Sequence, residues 1–253
     1  MITLKDQKTL ITGGSRGIGR AAAVLFAEAG ADVAITYQCR DRAAQEVKAE
    51  VEKRGRECLI YKIELARRDD VIRTTADIIG RWKRIDTLVN NAGIWNFLEI
   101  GSGDVEAWDE MMAVNLDSLF YLADAIVPHM KAQGRGRIVN VGSTAGIRGE
   151  ALHSHYAATK GAMNALTKSW AVEFAPWNIN VNCVAPGWVD TDMCNEVFRD
   201  EAFRESVRRS IPLQRIPPPE DIAGPILFLA SDLARHITGA VLSVNGGGVL
   251  CGA

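Results

Sequence analysis

The feature that most constrains this chain is a regular alternation of short apolar segments with helical segments, repeated along its whole length. The predicted strands lie at 8–11, 32–37, 59–63, 87–89, 137–141, 179–184 and 240–244. The predicted helices lie at 20–30, 42–54, 69–83, 105–130, 156–174 and 220–231. Parallel strands need a crossover element between them, so this order predicts an α/β protein. We expect one domain over residues 1–253, built on a doubly wound parallel sheet with helices on both faces.

A glycine-rich turn follows the first predicted strand. Its sequence is Thr12-Gly13-Gly14-Ser15-Arg16-Gly17-Ile18-Gly19. A strand, a glycine turn and a helix in this order predict a phosphate-binding cradle. The glycines let the backbone approach a pyrophosphate, and the helix N-terminus supplies free N–H groups and a positive dipole. An ordinary flexible turn is the alternative interpretation.

A second pattern pairs Tyr156 with Lys160, one helical turn apart, and follows Ser143 in the chain. Residues at i and i+4 share one face of a helix. An ammonium beside a phenol favours the phenolate, so we expect the pKa of Tyr156 to fall from about 10. Such a phenol is a general acid–base, and Ser143 can offer its hydroxyl to the same substrate oxygen. A surface i,i+4 pair is the alternative, and Tyr-x-x-x-Lys alone would not exclude it.

These patterns share a location in the predicted fold. Gly13, Asn91, Ser143 and Pro186 each follow a different predicted strand. In open parallel sheets the ligand binds outside the carboxyl ends of the strands. The four segments are therefore expected at one edge of the sheet, around one site.

Together these segments resemble the short-chain dehydrogenase/reductase family over essentially the whole chain. The matching pieces are the glycine turn, Asn90-Asn91-Ala92-Gly93, Asn115, Ser143, Tyr156 with Lys160, and Pro186-Gly187. The resemblance implies a Rossmann-type fold and an oxidoreductase that acts on a carbonyl or alcohol substrate. A hydride would move between a nicotinamide and the carbonyl carbon while Tyr156 transfers a proton at the oxygen.

The resemblance also implies roles for individual residues. The catalytic set would be Asn115, Ser143, Tyr156 and Lys160, with Asn115 holding a water that links Lys160 to solvent. The cofactor-binding set would be Gly13, Ser15, Arg16, Gly17, Ile18, Gly19, Tyr37, Gln38, Glu64, Leu65, Asn91, Ala92, Gly93, Tyr156, Lys160, Pro186, Gly187, Val189 and Thr191. The pair Glu64-Leu65 departs from the Asp and small apolar residue usual in the family.

The end of the second strand bears on the choice of cofactor. An acidic residue there would bind a ribose 2′-hydroxyl and repel a 2′-phosphate. This chain has Tyr37 and Gln38 instead, with Arg16 and Arg40 nearby, which favours NADP(H). Asp41 lies close in sequence, so NAD(H) stays open, and the two arginines could be solvated charges only.

Composition excludes several other classes. A formal net charge of −2 gives no reason to expect nucleic acid or an anionic membrane, and no apolar run approaches the length of a membrane span. The five cysteines Cys39, Cys58, Cys183, Cys194 and Cys251 are scattered without CxxC spacing, which favours reduced thiols in a cytoplasm over disulfides or zinc. The pair His153 and His155 has no carboxylate cluster beside it, so no metal site is predicted, although either histidine could contact substrate.

Substrate identity stays open at this point. The overall similarity is to 3-oxoacyl-[acyl-carrier-protein] reductases, but Gly134 and Trp177 stand where carrier-dependent members have basic residues. Arg135 and Arg137 are nearby, so an acyl carrier protein stays possible as a partner but is disfavoured. Sugar, polyol and small-alcohol dehydrogenases are the alternative, and a non-catalytic sensor of nicotinamide redox state is disfavoured by the intact Tyr156 and Lys160. Residues 190–212 are expected to form a mobile substrate lid.

The resemblance further implies a homotetramer. One two-fold interface would pair the Asn115 and Tyr156 helices, and another would pair the last helix and strand. The residues expected at these surfaces are Ala157, Ala158, Gly161, Ala162, Ala165, Trp170, Ile226, Phe228, Leu229 and Val249-Leu250-Cys251.

Overall fold

Within residues 2–250, seven parallel strands form the centre of the protein, in the order β3-β2-β1-β4-β5-β6-β7. The computed structural model describes residues 2–250. The strands are β1 (Lys8–Ile11), β2 (Asp32–Tyr37), β3 (Cys58–Lys62), β4 (Thr87–Asn90), β5 (Gly136–Val141), β6 (Ile179–Pro186) and β7 (Val241–Val244). The order reverses between β1 and β4, so the sheet is doubly wound, and the predicted fold class is confirmed.

Helices cover both faces of this sheet. They are α1 (Gly17–Glu28), α2 (Asp41–Glu52), α3 (Arg68–Trp82), α4 (Val105–Met112), α5 (Ser118–Gln133), α6 (Ala145–Arg148), α7 (Ser154–Phe174), α8 (Glu201–Ser210) and α9 (Glu220–Ala230). Neighbouring residues of β1 show how the two faces are filled. Ile11 belongs to the apolar cluster that contains Phe26 of α1, whereas Leu10 belongs to the cluster that contains Leu119 of α5. Alternate side chains of a strand point to opposite faces, so both sides of the sheet are buried.

The long helix predicted at 105–130 is interrupted. A π-helical turn, Ala113–Asp117, separates α4 from α5. The side chain of Asn115 lies inside this turn and is 1% exposed. Its Oδ1 accepts a hydrogen bond from the backbone N–H of Ile94 (2.8 Å), and its Nδ2 donates to the carbonyl of Ile94 (2.9 Å). These two bonds pull one residue out of the regular helix, which explains the distortion.

The stretch Val105–Gln133 has a mean hydropathy of 1.2 in its most apolar window, enough by length and composition to cross a bilayer. Core helices of globular proteins meet the same criterion, and 44% of that window is buried inside the protein. Leu122, Ile126 and Met130 of α5 are among its fully or almost fully buried side chains. Packing against the sheet therefore accounts for the apolar composition without a bilayer.

A short helix that the sequence did not predict, α6, packs against α7. Gly146 makes this contact, because a Cβ at Gly146 would overlap the backbone of Lys160 and Gly161. The close approach places the end of β5 directly beside the helix that carries Tyr156.

Three residues expected at subunit surfaces lie in the core instead. Trp170 is 7% exposed, Ile226 is fully buried and Leu229 is 2% exposed. Trp170 packs on Phe174 within the cluster between α5, α7 and the sheet. The periodicity of these helices did not reveal which apolar face meets the sheet. Cys251, also expected at an interface, lies outside the described residues.

Candidate active site

A cleft of about 280 Å³ opens at the carboxyl ends of the strands, where the sequence predicts the site. All the predicted catalytic and cofactor-binding residues line this cleft except Gly19 and Asn115. Gly19 packs beneath the glycine turn, since a Cβ there would overlap the carbonyl oxygen of Gly13. Asn115 lies one layer behind the cleft wall. The predicted segments therefore lie together around one cleft, and the two exceptions lie behind its wall.

The glycine turn is held open toward the cleft. Gly13 and Gly17 have φ of 64° and 52°, a conformation that side chains disfavour. Helix α1 begins at Gly17 without a capping side chain and without an acidic residue in its first turn. Its first N–H groups and its dipole therefore face the cleft free of an internal partner. This cradle fits the pyrophosphate of a dinucleotide.

The loop after β4 is fixed to the glycine turn through one buried threonine. Thr12 Oγ1 accepts hydrogen bonds from the backbone N–H groups of Asn91 and Ala92, both at 3.0 Å. Asn91 Nδ2 in turn donates to the carbonyl of Thr12 at 2.8 Å. These bonds hold the floor of the cleft at a fixed distance from the cradle. Thr12 is a positioning residue that the predicted site set omitted.

Tyr156 and Lys160 lie on the face of α7 that meets β5. Lys160 is 4% exposed, and its Nζ donates a hydrogen bond to the carbonyl of Val141 at 2.8 Å. The same Nζ lies 5.6 Å from the centroid of the Tyr156 ring. Burial lowers the pKa of Lys160 to about 8. The ammonium is thus held by the end of β5 beside the tyrosine ring.

The expected fall in the pKa of Tyr156 does not occur in this structure. Burial raises the pKa of the phenol to about 12, although a hydrogen bond with Ser143 acts in the lowering direction. Desolvation disfavours the phenolate. The lysine does not offset this effect, because its Nζ is directed to Val141 and its own pKa is depressed. The geometry of the pair was predicted correctly and the direction of its pKa shift was wrong.

Asn115 and Lys160 are separated by a small space beside Gly93. A Cβ added at Gly93 would lie 3.2 Å from Asn115 Oδ1 and 3.7 Å from Lys160 Nζ. Any side chain at Gly93 would therefore crowd the space between the two polar groups. The arrangement fits the water-holding role implied for Asn115, although no described contact joins the asparagine to the lysine directly.

The adenosine end of the cleft carries arginines and lacks an acid at the end of β2. Arg16 and Arg40 line it, with side chains 45% and 50% exposed. Asp41, whose proximity left the cofactor open, is engaged elsewhere. It accepts hydrogen bonds from Lys62 Nζ (2.9 Å) and Tyr37 Oη (3.1 Å), and it does not line the cleft. Glu64 accepts a hydrogen bond from Gln38 Nε2 at 3.1 Å.

Aromatic side chains line the part of the cleft where we expect the substrate. Trp95 and Trp188 line the cleft, with ring centroids 5.9 Å apart. Trp95 also stacks on His153 at 4.5 Å. His155 is fully buried and forms a 2.7 Å hydrogen bond with Asn96. Neither histidine lines the cleft in this structure, and both make contacts within and around the loop before α7.

Several lining residues were missing from the predicted site set. They are Thr36, Cys39, Arg40, Ile63, Ile94, Trp95, Val114, Val141, Gly142, Thr144, Arg148, Glu150, Trp188, Asp192, Met193 and Cys194. The sequence already points to Arg40 near the end of β2, and to Trp95, Trp188, Met193 and Cys194 as either pocket walls or packing residues. Most of the others follow a strand end, which is only a weak signal. Asp192 is next to the predicted Thr191, but its ion pairs with Arg16 and Arg40 join positions far apart in the sequence, and no pattern indicated them. Within residues 2–250 no three His, Cys, Asp or Glu side chains cluster as metal ligands.

Comparisons with known proteins agree with this geometry. A family model described as enoyl-(acyl carrier protein) reductase matches residues 13–248. The 3-oxoacyl-[acyl-carrier-protein] reductase of Thermotoga maritima is 38% identical over 98% of this chain and 99% of its own length. The L-rhamnose 1-dehydrogenase (NAD(P)(+)) of a Sphingomonas species is 37% identical over 98% of both chains.

Solved structures give the same result. A Sinorhizobium meliloti protein described as a short-chain alcohol dehydrogenase superposes with a TM-score of 0.93 at 34% identity, covering 97% of both chains. A Beutenbergia cavernae protein described as an NAD(P)-dependent gluconate 5-dehydrogenase, with NADP bound, superposes with a TM-score of 0.92 at 34% identity, also over 97% of both chains. On its fold, its site and these similarities, the chain belongs to the short-chain dehydrogenase/reductase family.

Proposed function

We propose that this protein is an NADP(H)-dependent oxidoreductase that interconverts a ketone and a secondary alcohol in the cytoplasm. The observation that carries the proposal is the meeting of Ser143, Tyr156 and Lys160 in one cleft with an uncapped helix N-terminus. The four cysteines within residues 2–250 are free thiols, which supports a reducing compartment.

Tyr156, Ser143 and Lys160 each have a separate role in the reaction. When bound, NADP(H) supplies or accepts the hydride at the carbonyl carbon. In the reductive direction Tyr156 donates its phenolic proton to the substrate oxygen, and in the oxidative direction it takes the proton from the alcohol. Ser143 donates a hydrogen bond to that oxygen and stabilises the charge that develops on it. Lys160 supplies positive charge near the phenol, which favours the phenolate left after proton transfer.

Replacing Tyr156 with phenylalanine tests this assignment. The ring still packs, but the positioned acid–base is lost, so we expect kcat for carbonyl reduction to fall on the order of 10²–10⁴-fold. The dissociation constant for NADPH, measured by fluorescence titration, should stay within about twofold of wild type. Tyr121→Phe is the control, because Tyr121 lies on α5 outside the cleft. A wild-type kcat in Tyr156→Phe would remove the tyrosine from the mechanism.

The raised pKa of Tyr156 predicts different pH profiles for the reductive and the oxidative direction, flat for the first and rising for the second. A phenol with a pKa near 12 is protonated at neutral pH, so kcat/KM for reduction should be flat between about pH 6 and 8. Oxidation needs the phenolate, whose fraction rises tenfold per pH unit below the pKa. We therefore expect log kcat/KM for alcohol oxidation to rise with a slope near +1 over the same window, below the pKa of Lys160 at about 8. A plateau inside this window would mean that bound cofactor lowers the phenol pKa to neutral values.

Two substrate classes are candidates, and 3-oxoacyl thioesters are the first. Several relatives are named as 3-oxoacyl-[acyl-carrier-protein] reductases. The basic side chains near Gly134 and Trp177, the places where carrier-dependent members of the family have basic residues, are already engaged, however. Arg135 pairs with Asp86 at 2.9 Å, and Lys131 Nζ lies 4.1 Å from the Trp177 ring centroid. Charges already paired within the protein offer less to an acidic carrier, which disfavours carrier dependence.

A sugar or polyol is the second candidate, and one observation favours it. Arg148 and Glu150 line the cleft, and neither makes an ion pair within the part of the chain that the structure describes. Glu150 lies near enough to Tyr156 to raise the pKa of its phenol. A free carboxylate and guanidinium beside two tryptophan faces suit a substrate with several hydroxyl groups. The L-rhamnose and gluconate 5-dehydrogenase relatives act on such molecules by name.

A substrate panel separates these candidates. It compares one 3-oxoacyl group on acyl carrier protein and on coenzyme A with a set of sugars and polyols. Because the basic surface is already paired, we expect the carrier to raise kcat/KM by less than about tenfold over coenzyme A. A carrier advantage of about 100-fold or more would contradict this expectation. Turnover of a sugar or polyol without turnover of either thioester would select the second candidate.

We also propose that the protein is a homotetramer. Apolar side chains that stay exposed on the surfaces expected to pair support this assembly. Phe120 on α5 is 53% exposed, Val172 on α7 is 79% exposed and Leu242 on β7 is 38% exposed. Ala158 and Ala165 of α7 are also exposed and would allow a partner helix to approach closely. Apolar groups on two connected helices are better explained by a partner subunit than by solvent.

Sedimentation equilibrium measures this assembly directly. Wild type should sediment as a tetramer at micromolar concentration, and Val172→Asp should weaken association because it buries an unpaired charge. Ile72→Asp is the matched control. Ile72 is 41% exposed on α3, outside the proposed interfaces, so this variant should stay tetrameric. A monomeric wild type would overturn the proposal.

A further inference from the structure

One carboxylate joins the predicted lid to the adenosine end of the cleft. Asp192 Oδ2 lies 2.9 Å from Arg40 Nη1 and 3.6 Å from Arg16 Nη1. Arg16 belongs to the glycine turn, Arg40 precedes α2, and Asp192 follows β6 at the start of the lid. Within residues 2–250 these are the ion pairs that connect the lid segment to the nucleotide-binding half of the site.

The lid has its own packing and is otherwise loosely joined to that half. Cys194, Phe198, Val207 and Ile211 form a small apolar cluster of their own, apart from the two clusters on the sheet. The neighbouring carboxylate of Asp190 pairs within the lid, with Arg204 at 2.7 Å. We therefore expect the segment to respond as a unit when the contacts at its beginning change.

The charges around Asp192 do not balance, and an anion with two negative charges would match them better. Two guanidinium groups meet one carboxylate, so one positive charge is left over. All three side chains line the cleft and are partly exposed, Asp192 by 35%. A phosphate dianion would neutralise both guanidinium groups and bind them more strongly than a single carboxylate. The Asp192 carboxylate would then be repelled from the position it holds here.

We propose that Asp192 competes internally with the 2′-phosphate of NADP(H) for Arg16 and Arg40. The inference rests on the NADP(H) preference proposed above. Cofactor with a 2′-phosphate displaces the carboxylate and frees the start of the lid. Cofactor with a 2′-hydroxyl leaves both ion pairs in place. Asp192 therefore weakens the binding of NADP(H) but not that of NAD(H), which reduces the difference in affinity between the two cofactors. It also makes the contacts at the start of the lid depend on which cofactor is bound.

Binding of both cofactors to Asp192→Asn tests the competition. Asparagine keeps the shape and removes the charge, so NADPH should bind about three- to tenfold more tightly, with less than a twofold change for NADH. Asp190→Asn is the matched control, since Asp190 pairs with Arg204 instead and should leave both constants unchanged. Arg16→Ala should weaken the binding of NADPH far more than the binding of NADH. An unchanged or weaker NADPH affinity in Asp192→Asn would overturn the proposal.

Hydrogen exchange with cofactor fragments tests the link to the lid. The probe 2′,5′-ADP carries the 2′-phosphate, whereas 5′-AMP does not, and neither reaches the nicotinamide end. We expect 2′,5′-ADP to speed amide exchange around residues 191–196 in wild type, 5′-AMP to leave it unchanged, and Asp192→Asn to exchange fast with either probe. Equal exchange with both probes in wild type would contradict the link.

The binding measurements distinguish the proposed NADP(H) preference from the proposed role of Asp192. Equal affinity of wild type for NADPH and NADH would refute the cofactor preference itself. A clear NADPH preference that Asp192→Asn leaves unchanged would refute only the role of Asp192.

Discussion

The burial of one ammonium group organises much of this site. Lys160 is almost fully enclosed, and an enclosed charge is costly unless it is hydrogen-bonded. The carbonyl of Val141 meets this need only because α7 lies directly against the end of β5. That approach depends on Gly146, whose lack of a side chain lets α6 touch the backbone of Lys160. The position of Tyr156 one turn earlier follows from the same contact.

Polar contacts in the core fix α7 relative to the sheet. Asn90 Nδ2 donates to Asn140 Oδ1 at 2.9 Å, and Asn140 Nδ2 donates to Thr167 Oγ1 at 2.9 Å. These side chains are all buried and connect β4, β5 and α7. Apolar packing tolerates small shifts of a helix along a sheet, whereas a chain of directional hydrogen bonds does not. The position of α7, and with it that of Tyr156 and Lys160, is therefore fixed in part by buried amide side chains that do not line the cleft.

Local patterns in the sequence indicated most of the elements and the edge of the sheet where the cleft opens. The strand at 32–37 was predicted with its exact bounds, and the glycine turn after β1 was predicted in the right place, although α1 already begins at Gly17 inside it. Helix α6 and the π-helical turn at Ala113–Asp117 were not predicted. Properties that depend on tertiary packing were not predictable. The pKa of Tyr156 reflects competition between burial and a nearby charge, and only the structure shows that burial is stronger. The ion pairs of Asp192 join positions widely separated in the chain, so no sequence pattern indicated them.

The π-helical turn at Ala113–Asp117 also affects the helix on either side of it. A π turn holds one residue more than the regular helix, and each residue of an α-helix advances by about 100° around the axis. The turn therefore rotates the faces of α5 relative to those of α4 by roughly that angle. Within the turn, Val114 lines the cleft and Asn115 is buried. The extra residue thus sets which side of α5 meets the sheet, where Leu119, Leu122 and Ile126 pack into the core.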